Sequence, residues 1–177
     1  MKRADRKRWA TARTMTDLGE LVIAWLHGEI IQTPGHCGPP CDETIPLIPV
    51  LEALNRGGFV TDNSQRAETA ADGHTWNTWV SGWADDATLA TIRAATAGTG
   101  LIAAACRRTT HECDRMPSFW CCPWHDMVCF WSGRCPAMRD AFCELWYVNV
   151  EDPEPGRNDL LWGALGAAFA QSREVRS

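Results

Sequence analysis

The chain has 177 residues, 45% hydrophobic and 22% charged, so it is long enough and apolar enough to form one globular domain with its own core. Its 16 aromatic residues, ten of them Trp, exclude general disorder. No apolar run reaches the roughly 18 to 20 residues of a membrane helix, and the N-terminal residues lack the apolar stretch of a secretion signal. We therefore expect a cytoplasmic protein without membrane contacts.

The charge is distributed unevenly along the chain. Residues 1–14 hold six basic side chains against one acidic side chain, on a chain of net charge −5, so the remainder carries about −10. This pattern predicts a single domain over residues 1–177 with a basic N-terminal helical arm over residues 1–14. Because the acidic body repels nucleic acid, we expect no nucleic-acid partner and expect the arm to dock on the protein itself through Trp9.

Helix caps, turn residues and apolar spacing predict helices and one short strand in the N-terminal half. The predicted elements are a helix over residues 6–15, a helix capped by Thr16 or Asp17, a Pro- and Gly-rich loop over 34–40, a helix capped by Asp42 and ended by Gly57 and Gly58, a strand over 59–61 and a polar loop over 62–75.

The pattern in the C-terminal half of the chain predicts strands that alternate with helices. The predicted elements are strands over 76–83, 101–106, 127–131 and 146–150, a turn at 132–133, helices that begin at Asp85 or Asp86 and at Pro136, and a last helix capped by Asn158 or Asp159. Residues 76–83 also fit helical spacing, so that assignment stays open. A strand–helix–strand unit normally joins parallel strands. We therefore predict an α/β fold in the broad sense, that is, a mixed α+β domain with helices packed on one small mixed sheet.

Two segments resemble a known family. Asn55-Arg56, followed by Gly58-Phe59-Val60-Thr61, and Asp152-Pro153-Glu154, followed by Gly156-Arg157-Asn158-Asp159, are similar in order and spacing to a family of actinobacterial proteins that share a domain of unknown function. The resemblance implies no particular activity. The chain departs from the family pattern at Arg66-Ala67, where that family usually has Pro-Gly.

Two polar clusters follow predicted strands and are the candidate ligand-binding sites. Hydroxyl, amide and carboxylate groups in a row can hold a small polar ligand, and they also make turns and helix caps. If both strands end at the same side of the sheet, the clusters would line one cleft. The candidate residues are Thr61, Asp62, Asn63, Ser64 and Gln65 in the first cluster, and Glu151, Asp152, Arg157, Asn158 and Asp159 in the second.

Nine cysteines suggest a second kind of site. Soft nitrogen and sulfur ligands occur close together in a segment with few regular elements, which a tetrahedral zinc ion would organise. The spacing lacks paired CxxC motifs, so buried reduced thiols are the simpler interpretation, and a Cys122–His125 catalytic pair is a further alternative. The candidate zinc ligands are His111, Cys113, Cys122, His125, Cys129 and Cys135, with a weaker group at His36, Cys37 and Cys41.

These features favour a small accessory or regulatory protein that binds a protein partner or a small polar ligand. One alternative is a hydrolase or transferase that uses the polar loops 61–65 and 151–159. Another is a zinc-stabilised interaction module. The sequence leaves the catalytic residues, if there are any, and the oligomeric state open.

Overall fold

A computed structural model describes residues 1–70, 72–107, 112–114, 127 and 130–174, with only the backbone described for 112–114 and 171–174. Its elements, in chain order, are α1 (Arg3–Thr11), α2 (Met15–Leu26), a 3-10 turn (Ile45–Leu47), α3 (Ile48–Arg56), β1 (Val60–Gln65), β2 (Trp79–Ala84), α4 (Asp86–Thr96), β3 (Ile102–Arg107), β4 (Glu112–Asp114), α5 (described at residues 127 and 130–134), a second 3-10 turn (Pro136–Met138), α6 (Arg139–Glu144), β5 (Trp146–Glu151) and α7 (Asp159–Glu174).

The N-terminal basic segment is docked on the rest of the protein. Trp9 is fully buried, its indole Nε1 donates to the Gln32 carbonyl at 3.0 Å, and its ring meets Trp131 edge-on at 5.8 Å. Helix α2 is capped by Thr14, two residues before the earlier of the two predicted caps, because Thr14 and Asp17 form a reciprocal capping box in which Asp17 lies in the first turn.

The predicted cap at Asp42 is wrong. A 3-10 turn leads directly into α3, whose N-cap Leu47 makes no side-chain cap hydrogen bond. Pro49 lies in the first turn of α3. Because proline has no backbone N–H group, this turn has one fewer donor that needs a cap. Helix α3 ends before Gly57 and Gly58, as predicted, and Gly58 has a φ of 97°.

The described strands form a sheet in the order β1-β2-β5-β3-β4 in which every neighbouring pair is antiparallel. The mixed α+β fold with helices packed on the sheet is confirmed. Strands β2 and β3, joined by α4, run in the same direction, but β5 lies between them and pairs with both. The parallel neighbours expected from the crossover are thus replaced by antiparallel ones, because a strand from later in the chain fills the gap.

Three assignments in the middle of the chain have clear outcomes. Residues 79–84 are a strand, so the open choice over 76–83 is resolved in favour of the predicted strand. Strand β1 runs to Gln65, so the polar loop begins after residue 65 rather than after residue 61. The predicted strand over 127–131 and the turn at 132–133 are wrong: residues 127 and 130–134 are helical, and Trp131 and Cys135, four residues apart, are both fully buried.

Helices cover both faces of the sheet. On one face, α3 joins β1 through the buried Asn55, whose side chain bonds both the hydroxyl and the backbone N–H of Thr61. On the opposite face, the buried Trp83 ring lies 5.0 Å from Phe142 and 6.4 Å from Trp131, measured between centroids. This second layer positions Trp131 beside Asp62 in β1.

Candidate functional site

Asp62 occupies an irregular position in the edge strand β1. Thr61 pairs with Gly82 and Asn63 pairs with Ser81, so Asp62 is an extra residue between two regular pairs. A bulge of this kind bends the strand and redirects the side chain of the inserted residue. The carboxyl group of Asp62 is thereby turned towards residues of the helical layer.

Two neutral donors from distant parts of the chain hold that carboxyl group. The Trp131 indole Nε1 donates to Asp62 Oδ1 at 3.0 Å, and the Tyr147 hydroxyl donates to Oδ2 at 3.1 Å. The Tyr147 oxygen also lies 2.9 Å from the hydroxyl of Ser81, on the neighbouring strand. The orientation of Asp62 is therefore fixed by helix α5 and by strands β2 and β5.

The electrostatics of this group are set mainly by burial. Loss of solvent raises the pKa of Asp62, while the hydrogen bonds from Trp131 and Tyr147, and more weakly the nearby His36, act against this rise. Burial, followed by the neighbouring Asp62 carboxylate, raises the pKa of Tyr147, so its hydroxyl remains a donor. Asp62 is thus a preorganised carboxyl group whose described hydrogen-bond donors carry no charge.

A cavity of about 150 Å³ opens beside Asp62. One wall is strand β1, and another is the loop between α2 and α3. Trp25 supports this loop, since its Nε1 donates to the Gly38 carbonyl at 2.8 Å and its ring meets His36 edge-on at 5.5 Å. The described lining consists of Trp25, Thr33, His36, Cys41, Glu43, Thr44, Leu51, Thr61, Asp62, Asn63, Ser64 and Gln65.

The loop approaches Asp62 very closely at Gly35. A Cβ atom at this position would lie 2.4 Å from Asp62 Oδ1, closer than any side chain can be placed without movement. One contact joins the two walls, because Gln65 Nε2 donates to Glu43 Oε2 at 3.2 Å. Within the loop, the Cys41 thiol lies 3.2 Å from the Thr44 hydroxyl. All five residues of the first predicted cluster line this cavity.

The second predicted cluster is bonded within itself. Asp152 is fully buried, and the Arg157 guanidinium donates to both of its oxygens, at 2.6 and 2.8 Å. The backbone N–H of Glu154 donates to Asp152 Oδ1 at 3.0 Å, and Arg157 also pairs with the Glu154 carboxylate at 2.5 Å. The Arg157 side chain lowers the pKa of Asp152 despite the opposing effect of burial.

The remaining residues of the second cluster connect chain segments. Asn158 bonds the backbone N–H and carbonyl groups of Ala67, at 2.8 and 3.0 Å, and Glu151 accepts from the Asn77 side chain. Asp159 is the first residue of α7.

The two clusters lie at the same end of the sheet, as the register shows: Gln65 pairs with Trp79, which pairs with Glu151. The side chain of Asn158 bonds the backbone N–H of Ala67, and the Thr78 hydroxyl donates to the Gln65 carbonyl. Of the two clusters, the first contributes to the described lining of the cavity.

The zinc hypothesis concerns mostly residues outside the described ranges. His111, Cys122, His125 and Cys129 lie outside them, and Cys113 is described only through its backbone pairing with Cys106 in β3. Cys135 is fully buried, and burial raises the pKa of its thiol to about 12. No group of three or more candidate ligands occurs within the described residues. Zinc binding in this segment stays a prediction, which metal analysis of the purified protein would test.

Sequence patterns did not reveal four residues that build the site. Trp131, Tyr147, Ser81 and Gly35 come from four separate segments, and no local motif links them. The one usable signal is chemical, because a buried Trp or Tyr usually needs a hydrogen-bond partner for its polar atom. Asp62 provides that partner for both.

The fold and the site define an α+β domain with a small acidic cavity at its edge strand. None of the helices in the described ranges has the length and apolarity that crossing a membrane would require. Residues 4–117 match the model of the family described as "Domain of unknown function (DUF6919)", and the chain belongs to this family. The match includes the whole described lining of the cavity, whereas the second polar cluster lies beyond it. No curated protein matches the chain.

Proposed function

We propose that the protein is a binding protein that holds a small polar ligand, or the polar end group of a larger partner, in the cavity beside Asp62. The observation that carries this proposal is that Asp62 lines a cavity while two distant side chains fix both of its carboxyl oxygens. Acceptors that are already oriented before a ligand arrives reduce the entropic cost of binding.

The size of the cavity limits the ligand. A volume of about 150 Å³ corresponds to about five water molecules at roughly 30 Å³ each, which leaves space for a few heavy atoms. A larger molecule would insert only an end group. This supports recognition of a small molecule or of a single side chain of a protein partner.

The arrangement favours binding over the hydrolase or transferase alternative. That alternative uses both polar loops, 61–65 and 151–159, in one pocket. Within the described chain, the first loop lines the cavity and Asp152 is engaged by Arg157. A carboxylate that is occupied in this way has little capacity left for acid–base chemistry.

We also propose that the protein acts in the cytoplasm of an actinobacterium as an accessory or regulatory protein. The residue usage supports this origin: two lysines stand against fifteen arginines, which is typical of a GC-rich coding genome. The net charge of −5 supports a protein or small-molecule partner over nucleic acid.

The test is a ligand-observed NMR screen with a library of small neutral, cationic and anionic polar compounds. We expect hits whose binding is lost in Ser64→Phe, because Ser64 lines the cavity and a phenyl ring would fill it while suiting a strand. Ala94→Phe is the matched control, since it adds the same ring on the exposed surface of α4. Absence of hits, or hits that bind both variants equally, would exclude the cavity as the binding site.

A further inference from the structure

We propose that the cavity beside Asp62 selects a cationic nitrogen group, an ammonium or a guanidinium, over a neutral group of the same shape. This inference rests on the proposed binding function and specifies the ligand class.

The first argument is the charge of the lining. Two of the described lining residues are carboxylic acids, Asp62 and Glu43, and none is Lys or Arg. The one basic side chain in this lining is His36. A positively charged ligand therefore meets a complementary field, and an anionic ligand meets repulsion.

The second argument is the unbalanced charge of Asp62. An ionised carboxylate has about four acceptor positions, and Trp131 and Tyr147 occupy two of them. Both donors are neutral, so the described hydrogen bonds orient the carboxylate without balancing its charge. Desolvation of a carboxylate is unfavourable, and a cation in the cavity would reduce this cost.

The third argument is the remaining chemistry of the walls. The side chains of Thr44, Ser64 and Gln65 offer oxygen acceptors for further N–H groups. Trp25 adds an aromatic wall of the residue type that interacts best with cations. A carboxylate, several neutral oxygens and an indole together suit a group with several N–H donors spread around one positive charge.

The volume agrees with this class of ligand. A guanidinium or a methylated ammonium group consists of a few heavy atoms and fits about 150 Å³, whereas the remainder of an amino acid or a peptide would stay outside. The same chemistry has two sources: a free small amine or guanidine, and the end of a Lys or Arg side chain on a partner protein.

The experiment compares methylguanidinium with methylurea, which has nearly the same shape and no charge, and with acetate. Binding to the full chain is followed by the indole N–H resonances of Trp25 and Trp131 in protein-observed NMR. We expect methylguanidinium to bind at least tenfold more tightly than methylurea and acetate to cause no shift. In Asp62→Asn this preference should disappear, whereas Asp140→Asn, an exposed carboxylate at the start of α6, should retain it. Circular dichroism confirms that both variants are folded.

The outcomes separate this inference from the proposed function. Equal binding of methylurea, tighter binding of acetate, or an unchanged preference in Asp62→Asn overturns the cation inference. If neutral compounds from the wider screen still bind in the cavity, the binding function stands while the cation inference falls. If nothing binds, the binding function and the cation inference are both wrong.

A blocked tripeptide with Arg at its centre, compared with methylguanidinium, identifies the source of the cationic group. Tighter binding of the tripeptide indicates a partner side chain, and equal binding indicates a free small molecule.

Discussion

Asp62 and Asp152 belong to two polar clusters that have opposite roles. Asp62 lies within β1 and Asp152 directly follows β5, and these two strands end at the same side of the sheet. Asp152 is fully buried and is held by a guanidinium five residues away, with a further bond from the adjacent backbone. Asp62 is held by neutral donors that lie 69 and 85 residues away, and it lines a cavity.

The comparison shows that the partner of a carboxylate decides its role more than its membership of a polar cluster does. A local cation lowers the pKa of Asp152 and uses its hydrogen-bonding capacity, so the group stabilises the turn into α7. Asp62 keeps its capacity for an external partner, and burial raises its pKa. Three predictions test this contrast.

The largest effect is expected for Asp152→Asn. The substitution removes the charge from a two-bond ion pair and leaves Arg157, which is 36% exposed, without its main partner. Charge-assisted hydrogen bonds of this kind contribute about 2 kcal/mol, and at this chain length we expect the melting temperature to fall by about 4 to 8 °C. Differential scanning calorimetry measures the change, and ligand binding at the cavity should be retained.

Glu154→Gln is the control for this prediction, because the Glu154 side chain is 63% exposed and makes a surface pair with the same Arg157. Its effect should be small. If Asp152→Asn instead leaves the melting temperature unchanged and abolishes ligand binding, the second cluster is a functional site and the contrast with Asp62 is lost.

An intermediate effect is expected when the distant donors to Asp62 are removed. Trp131→Phe and Tyr147→Phe each leave one Asp62 oxygen without its donor, which costs about 1 to 2 kcal/mol. Each of these hydrogen bonds favours the charged form of Asp62, so removing either one should raise the pKa of Asp62 further. Thermal unfolding measures the stability, and the carboxyl ¹³C shift of Asp62 measures its titration.

Trp162→Phe provides a matched control for Trp131→Phe. The Trp162 Nε1 atom is buried and makes no hydrogen bond within the described chain, so the same exchange of rings removes no bond there. We expect Trp162→Phe to leave the titration of Asp62 unchanged. If Trp131→Phe also leaves it unchanged, the indole of Trp131 does not hold the carboxylate.

The sequence predicts the local features of this contrast better than the distant ones. Apolar spacing, Gly57-Gly58 and the Asp85 cap predict α3, α4 and most strands, because these signals lie within a few residues of the elements that they define. The alternative role of the second cluster in turns and helix caps also depends on residues that are close together in the chain. The bulge at Asp62 and its bonds to Trp131 and Tyr147 depend on contacts between distant segments, and residues 127–131 were predicted as a strand because a short apolar run fits either structure.

The smallest effect at neutral pH, and the most specific, is expected for Asp62→Asn. The pKa of Asp62 is raised in the folded protein, so folding favours its protonated form. Its contribution to stability is therefore largest below the ordinary Asp pKa and declines as the pH rises through the folded value. Because Asn does not titrate, the variant should be at least as stable as the natural chain at neutral pH, and the natural chain should gain relative to it as the pH falls.

Asp152→Asn should show the opposite slope in the same measurement. The pKa of Asp152 is lowered in the folded protein, so its stabilisation is present above the ordinary Asp pKa and is lost as the pH falls through the folded value. Melting temperatures of the natural chain and both variants, measured from pH 7 down to pH 3, give two difference curves. At neutral pH the melting temperature of Asp62→Asn should be at or above that of the natural chain, and that of Asp152→Asn should be below it. Both differences should approach zero as the pH falls. If both differences in melting temperature have the same sign, Asp62 already has a cationic partner within the protein, and the cation inference is wrong.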